Sequence, residues 1–124
     1  MLRVLIVDDE ENIRLVLRTM LGKHGYLVEV ASSGEEALAA AERTAPDYVI
    51  ADVRMSGMSG IELARALGAL ESPPTVIVMS AYGSVELALE AMKAGAYDYV
   101  SKPFKQDEVL LALRKAEERE ALKR

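Results

Sequence analysis

An unbroken apolar run, Tyr48–Ala51, lies between Asp47 and Asp52 near the middle of the sequence. A strand with one face in water alternates apolar and polar residues, whereas a short uninterrupted run predicts a strand covered on both faces. Such a sheet needs helices on both sides, as in parallel α/β proteins. The strand would deliver Asp52 to the carboxyl edge of the sheet, where open α/β sheets bind their ligands.

Four further apolar runs alternate with segments whose apolar residues recur at helical spacing. The five predicted strands are Arg3–Val7, Tyr26–Val30, Tyr48–Ala51, Thr75–Met79 and Ala96–Val100. The second is less apolar than the first, which is typical of an edge strand. Strict alternation over 124 residues predicts one α/β domain with a parallel sheet and right-handed crossovers.

Ser33 precedes Glu36 by three residues, and Ser59 precedes Glu62 by the same spacing. This spacing predicts capping boxes that begin the second and third helices. In the fourth helix, the apolar stripe expected to face the core consists of Val85, Ala88, Leu89 and Met92. The residues expected to face outward, as part of a dimerising or partner-binding surface, are Leu87, Ala91, Leu111 and Ala112.

Composition excludes several classes of function. The net charge of -5 argues against nucleic-acid binding by this domain alone, because such binding rests on a basic surface. No apolar run approaches the ~20 residues of a transmembrane helix, so no membrane segment is expected. The sequence has no cysteine, which excludes disulfides and thiolate chemistry and fits a cytoplasmic location.

Polar residues follow four of the predicted strands. Asp8 and Asp9 follow the first strand and Asp52 the third, while the fourth and fifth are followed by Ser80 and by Ser101, Lys102 and Pro103. Parallel strands bring these ends to one edge, where clustered carboxylates need a cation. Carboxylate oxygens suit Mg²⁺, and a lysine and a hydroxyl suit a phosphoryl group. Asp52 is the candidate nucleophile for an aspartyl phosphate.

Each residue alone also has a purely structural interpretation. Asp8 and Asp9 are good first-turn residues for a helix, Asp52 can begin a turn, and Lys102 can be a solvated charge. The functional interpretation depends on four independent strand ends agreeing. His24 is expected at an exposed helix end and has no catalytic role.

Four segments, VDDE, ADVRMSGMSG, MSAYGS and AGAYDYVSKPF, occur in order after or around the strands. With these segments the chain resembles the receiver (CheY-like) domain of bacterial two-component response regulators from Arg3 to about Glu117. The last two segments are most similar to receivers of the NtrC-like class, which precede a sigma-54-dependent ATPase and a DNA-binding domain. The resemblance implies a flavodoxin-like, doubly wound (βα)5 fold whose five parallel strands have the order 2-1-3-4-5.

The resemblance also implies the roles of the site residues. Asp52 matches the phosphorylated aspartate. Asp8 and Asp9 match the acidic pair that binds Mg²⁺ together with the backbone carbonyl of Arg54. Ser80 and Lys102 match the hydroxyl and the lysine that bind the phosphoryl group.

Further positions match the switch and its tuning. Tyr99 matches the aromatic residue that rotates inward when the switch hydroxyl moves, and the peptide bond before Pro103 is expected to be cis. Arg54 and Tyr82 match positions that set the lifetime of the phosphorylated form. Ser56 departs from the family's usual proline, which predicts a more mobile loop.

The expected function is a signalling switch, not an enzyme acting on outside substrates. It takes a phosphoryl group from a sensor histidine kinase, catalyses only this transfer and the later hydrolysis, and acts through its fourth helix, fifth strand and fifth helix. Residues 1–117 are expected to be the receiver, and residues 118–124 a charged helix end leading to output domains. A homodimer is also expected.

Three alternatives compete with this interpretation. A small phosphohydrolase would carry a second acid two residues after the nucleophile, where Arg54 stands. A phosphorylation-independent interaction module would not need all of the site residues. A flavodoxin-like FMN binder would have a glycine- and hydroxyl-rich segment after the first strand, where this chain is acidic.

Overall fold

The computed structural model describes residues 1–81 and 85–122, and across these residues five strands alternate with five helices. The elements in order are β1 (Arg3–Val7), α1 (Glu11–Lys23), β2 (Leu27–Ala31), α2 (Gly34–Thr44), β3 (Tyr48–Asp52), α3 (Gly60–Gly68), β4 (Thr75–Ala81), α4 (Val85–Lys93), β5 (Asp98–Lys102) and α5 (Gln106–Leu122). The strands form one parallel sheet in the order β2-β1-β3-β4-β5, which confirms the predicted flavodoxin-like fold. None of the helices in the described ranges is long and apolar enough to cross a membrane.

Alternate residues of the central strands pack on opposite faces of the sheet, as a fully covered sheet requires. One row in register packs with α1 and α5: Ile6, Ile50 and Ile77. The next row packs with α2, α3 and α4: Val7, Ala51 and Val78. Both faces of β3 are therefore buried, as its unbroken apolar run predicted.

Two strand boundaries differ from the prediction in a way that affects the site. β5 begins at Asp98 instead of Ala96, because the N–H of Ala96 donates to the carbonyl of Ala91 and closes the end of α4. β4 continues beyond Met79, so that Ser80 pairs in register with Ser101. Ser80 and Lys102 are thus strand residues with a main chain held in the sheet.

The predicted caps are present in one complete and one partial form. At Ser59 both halves of the capping box form with Glu62. At Ser33 the hydroxyl oxygen accepts from the N–H of Glu36, but the Glu36 carboxylate accepts from Ser32 instead. Both serines still begin their helices.

The core face predicted for α4 is wrong for three of its four residues, and only Ala88 is buried as predicted. Val85, Leu89 and Met92 are exposed, whereas Ala88 and Ala91 are buried and Leu87 packs against the core. The helix has apolar residues on two sides, so their periodicity does not select a face. The helix instead buries its alanines, with Leu87 partly buried beside them. Of the four residues expected to point outward, Ala112 is also buried, and Leu111 alone has an exposed side chain.

Candidate functional site

The carboxyl edge of the sheet brings together residues from three strands. Asp8 follows β1, Asp52 ends β3 and Lys102 ends β5. The ammonium nitrogen Nζ of Lys102 lies 2.8 Å from Oδ2 of Asp8 and 3.2 Å from Oδ2 of Asp52. Asp8 is fully buried and Asp52 is only 8% exposed. These charges are therefore held largely away from water.

Asp9 completes a cluster of three carboxylates. Asp8, Asp9 and Asp52 each offer an oxygen within 4.8 Å of the others, and Asp9 is exposed to solvent. The N–H of Arg54 lies 3.4 Å from Oδ1 of Asp52, so the main chain at residue 54 borders the cluster. An all-oxygen donor set with one side open to water fits Mg²⁺, which retains several water ligands. The residues present therefore fit the expected cation.

Burial and charge shift the pKa values of this cluster. Burial raises the pKa of the Asp52 carboxyl, the negative charge of Asp8 raises it further, and Lys102 only partly offsets both. Burial would lower the pKa of Lys102, but the hydrogen bond to Asp8 and the charge of Asp52 outweigh it, so this pKa is raised. A single lysine thus faces more negative charge than it neutralises, and a second cation is favoured.

Three of the remaining predicted site residues lie on β4 and β5 or directly after β5. Ser80 is buried and directly follows Met79, the register partner of Asp52. Tyr99, three residues before Lys102, is 40% exposed on the edge strand β5. The Lys102–Pro103 peptide bond is cis.

Tyr82, expected to tune the phosphorylated state, lies outside the described residues. The side chain of Arg54 does not join the buried cluster. It lines an open groove beside Asp9, between the segment that follows β3 and helices α3 and α4. This groove gives solvent molecules access to the exposed side of the cluster.

Sequence reasoning missed two residues at this edge. The carboxylate of Glu10 lies 4.0 Å from the Lys102 nitrogen, and Nη1 of Arg14 donates a 2.7 Å hydrogen bond to the backbone carbonyl of Asp8. A signal for Arg14 was present, because a cation near a helix N-terminus is disfavoured by the helix dipole and needs another reason to be there.

Comparison with known proteins agrees with this geometry. The sequence matches the family described as "Response regulator receiver domain" over residues 4–114. It is 40% identical to regulatory protein AtoC of Escherichia coli K12, over 98% of this chain and 26% of AtoC. It is 35% identical to sporulation initiation phosphotransferase F of Bacillus subtilis 168, over 91% of each protein. The crystal structure of FixJ-N superposes with a TM-score of 0.87 at 42% identity, covering 95% of this chain and 94% of that one. The chain therefore spans about a quarter of AtoC and most of the phosphotransferase.

Proposed function

Because the chain belongs to the family of response regulator receiver domains, we propose that it is a phosphorylation-controlled switch in which Asp52 accepts a phosphoryl group from a sensor histidine kinase. The observation that carries this proposal is the position of Asp52. Its carboxylate lies nearly buried at the end of β3, 3.2 Å from the Lys102 nitrogen and within a cluster of two further carboxylates.

Asp8, Asp9 and Asp52, with the backbone carbonyl of Arg54, would hold Mg²⁺. When bound, the ion supplies positive charge that neutralises the carboxylates and the incoming phosphoryl oxygens. The exposed side of the cluster, at Asp9 and the adjoining groove, is where the donor approaches.

In the transfer, a carboxylate oxygen of Asp52 forms a bond to phosphorus as the bond from phosphorus to the donor's imidazole nitrogen breaks. The product is an acyl phosphate on Asp52, and the imidazole leaves with the electron pair. One nitrogen of Lys102 contacts both Asp8 and Asp52, so it can pair with the phosphoryl oxygens once they carry the negative charge. The domain catalyses this step and its hydrolysis on itself and acts on no other substrate.

Ser80 and Tyr99 would carry the change outward. Ser80 supplies a hydroxyl to the phosphoryl group from the strand beside Asp52, and Tyr99 turns inward from its exposed position on β5. This is a shift between two populated conformations, biased by the new charge.

The surface formed by α4, β5 and α5 would then bind a second copy of the chain. It carries apolar residues in solvent: Val85, Leu89, Met92, Tyr99 and Leu111. We expect Leu89→Glu to weaken dimerisation of the phosphorylated chain in analytical ultracentrifugation. Leu15→Glu on α1 is the matched control, because Leu15 is 60% and Leu89 58% exposed. Equal sedimentation of both variants and the native chain would place the dimer elsewhere.

In a full-length regulator of the NtrC-like class, residues 1–117 form the receiver and residues 118–124 lead towards ATPase and DNA-binding domains. Those domains, not this acidic one, would contact nucleic acid. The switch would work in the cytoplasm, where its kinase presents phosphohistidine.

The test is the intact mass of the chain after incubation with acetyl phosphate and Mg²⁺. We expect one phosphoryl increment in the native chain and none without Mg²⁺. Asp52→Asn should also show none. No increment in the folded native chain would instead support an interaction module that works without phosphorylation.

A further inference from the structure

Asp8 is held at every polar atom. Its side chain is fully buried, and its N–H donates to the carbonyl of Ala31 on β2 at 3.2 Å. One carboxylate oxygen, Oδ1, accepts from the N–H of Glu10 at 2.9 Å, and Oδ2 accepts from Lys102 at 2.8 Å. The backbone carbonyl accepts from Nη1 of Arg14 at 2.7 Å. Each polar atom of Asp8 thus has a protein partner that fixes its position.

The bond from Arg14 differs from the others because it connects a helix to the end of a strand. The Asp8 carbonyl lies just beyond β1, where the ladder to β3 ends at Val7. A buried carbonyl without a partner is costly, and a guanidinium donor makes a short, charge-assisted bond. We infer that Arg14 is a positioning residue: by holding the carbonyl of Asp8, it fixes the turn from β1 to α1 and so aims Asp8 and Asp9 at the cation site. This inference rests on the proposed function.

Charge and positioning make opposite predictions for Arg14. The guanidinium is a positive charge bonded to the backbone of Asp8, whose carboxylate belongs to the proposed Mg²⁺ site, so its removal alone would reduce repulsion of the cation and strengthen Mg²⁺ binding. If Arg14 holds Asp8 in place, its removal instead weakens Mg²⁺ binding, as loss of a group that orients a metal ligand does. The direction of the change therefore separates the two roles.

The experiment is a Mg²⁺ titration of the full chain by isothermal calorimetry. We expect Arg14→Met to weaken Mg²⁺ binding about tenfold and Arg14→Lys to recover part of the loss, since a lysine also donates to a carbonyl. The matched control is Arg18→Met, which removes the same charge from an exposed position one turn later on α1 and should stay within about twofold of the native chain. Unchanged or tighter binding by Arg14→Met, or an equal loss in Arg18→Met, would overturn the inference.

A second measurement does not depend on Mg²⁺. The amide of Glu10 donates to Oδ1 of Asp8, so its hydrogen exchange reports whether that carboxylate stays in place. We expect faster exchange at Glu10 in Arg14→Met than in Arg18→Met. Equal exchange rates in the two variants would rule out positioning, even if the native chain is phosphorylated. Conversely, the native chain could fail to be phosphorylated while the two variants still differ in exchange at Glu10. That result would contradict the switch proposal and leave the positioning role of Arg14 standing.

Discussion

The two edges of the sheet both bury polar groups, but they treat charge in opposite ways. At the carboxyl edge, Asp8, Asp52 and Lys102 are held close together as charged groups. At the amino edge, tyrosines stand at or just before the start of three strands: Tyr26, Tyr48 and Tyr97. The carboxyl edge concentrates negative charge that can bind a cation and take part in phosphoryl transfer. The amino edge buries neutral side chains and contributes mainly to stability.

The end of α5 completes the amino edge. The guanidinium carbon of Arg119 lies 4.1 Å from the ring centroid of Tyr97. Burial, with a contribution from the charge of Glu117, raises the pKa of Tyr48 to about 12. Burial also raises the pKa of Tyr26, so both phenols keep their protons at neutral pH. The comparison predicts that substitutions at the two edges have different signs and different consequences for phosphorylation.

The largest effect is expected at the carboxyl edge, from Gly60→Ala. A Cβ at residue 60 would clash with the backbone oxygen of Asp52 and would lie 2.9 Å from Cα of Val53, so the main chain must move. We expect a loss of about 3 kcal/mol in the free energy of unfolding, measured with urea, and slower phosphorylation of Asp52. The matched control is Gly68→Ala at the other end of α3, where a Cβ meets nothing within 4 Å. It should be neutral or slightly stabilising, and an equal loss in both variants would contradict the close approach at Asp52.

The next effect concerns the amino edge at alkaline pH. The unfolded chain releases the Tyr48 proton near pH 10, but the folded chain retains it until about pH 12. The folded state therefore binds more protons in this window, and its stability falls as pH rises, by about 2–3 kcal/mol in total from this residue. Tyr48→Phe should remove that part of the fall in urea unfolding curves between pH 9 and about 12. Tyr99→Phe, which removes an exposed phenol, should follow the native curve, and identical curves for all three chains would show that Tyr48 is not the cause.

How far the sequence predicted this structure depends on whether the signal was local. The meeting of Asp8, Asp52 and Lys102 followed from short apolar runs, because parallel pairing aligns the ends of strands. The inward face of α4 did not follow, since Leu89 and Ala91 are both apolar and only packing against the sheet chooses between them. The bond from Arg14 to the Asp8 carbonyl was also missed, because a cation near the start of α1 hints at a partner but the sequence does not identify a backbone carbonyl as that partner.

The amino edge was missed for a similar reason. The sequence predicts residues 118–124 only as a charged helix end, yet the guanidinium of Arg119 packs on the ring of Tyr97. A cation and an aromatic ring far apart in the chain meet only through the fold. By contrast, the capping pair Ser59 and Glu62 is a local pattern, and it formed completely.

A smaller effect, of opposite sign, is expected from Asp52→Asn. Burial and Asp8 raise the pKa of Asp52, so in the unfolded chain this carboxyl ionises first as pH rises. As pH rises from the ordinary pKa of an aspartate to the higher pKa of Asp52 in the folded chain, the free energy of unfolding falls. This loss of stability persists at neutral pH. Asp52→Asn removes it and should stabilise the domain by about 0.5–2 kcal/mol in Mg²⁺-free urea unfolding at pH 7. Asp47→Asn at the amino edge, where the carboxylate accepts from the N–H of Arg3, should not stabilise. A destabilised Asp52→Asn would mean that Lys102 more than balances the repulsion.

The smallest effect is expected from Arg119→Met, which tests whether the two edges act independently. Loss of the guanidinium that stacks on Tyr97 should lower the free energy of unfolding in urea by about 0.5–1 kcal/mol, because the contact is partly exposed to water. Arg18→Met, which removes an exposed cation with no ring beneath it among the described residues, should cost less. Phosphorylation of Asp52 by acetyl phosphate should proceed at the native rate in Arg119→Met. Among the described residues, no contact joins the side chain of Arg119 to the carboxyl edge. If Arg119→Met instead slowed phosphorylation by more than about twofold, the end of α5 would be coupled to the site, and the division of the sheet into a stabilising edge and a reactive edge would be wrong.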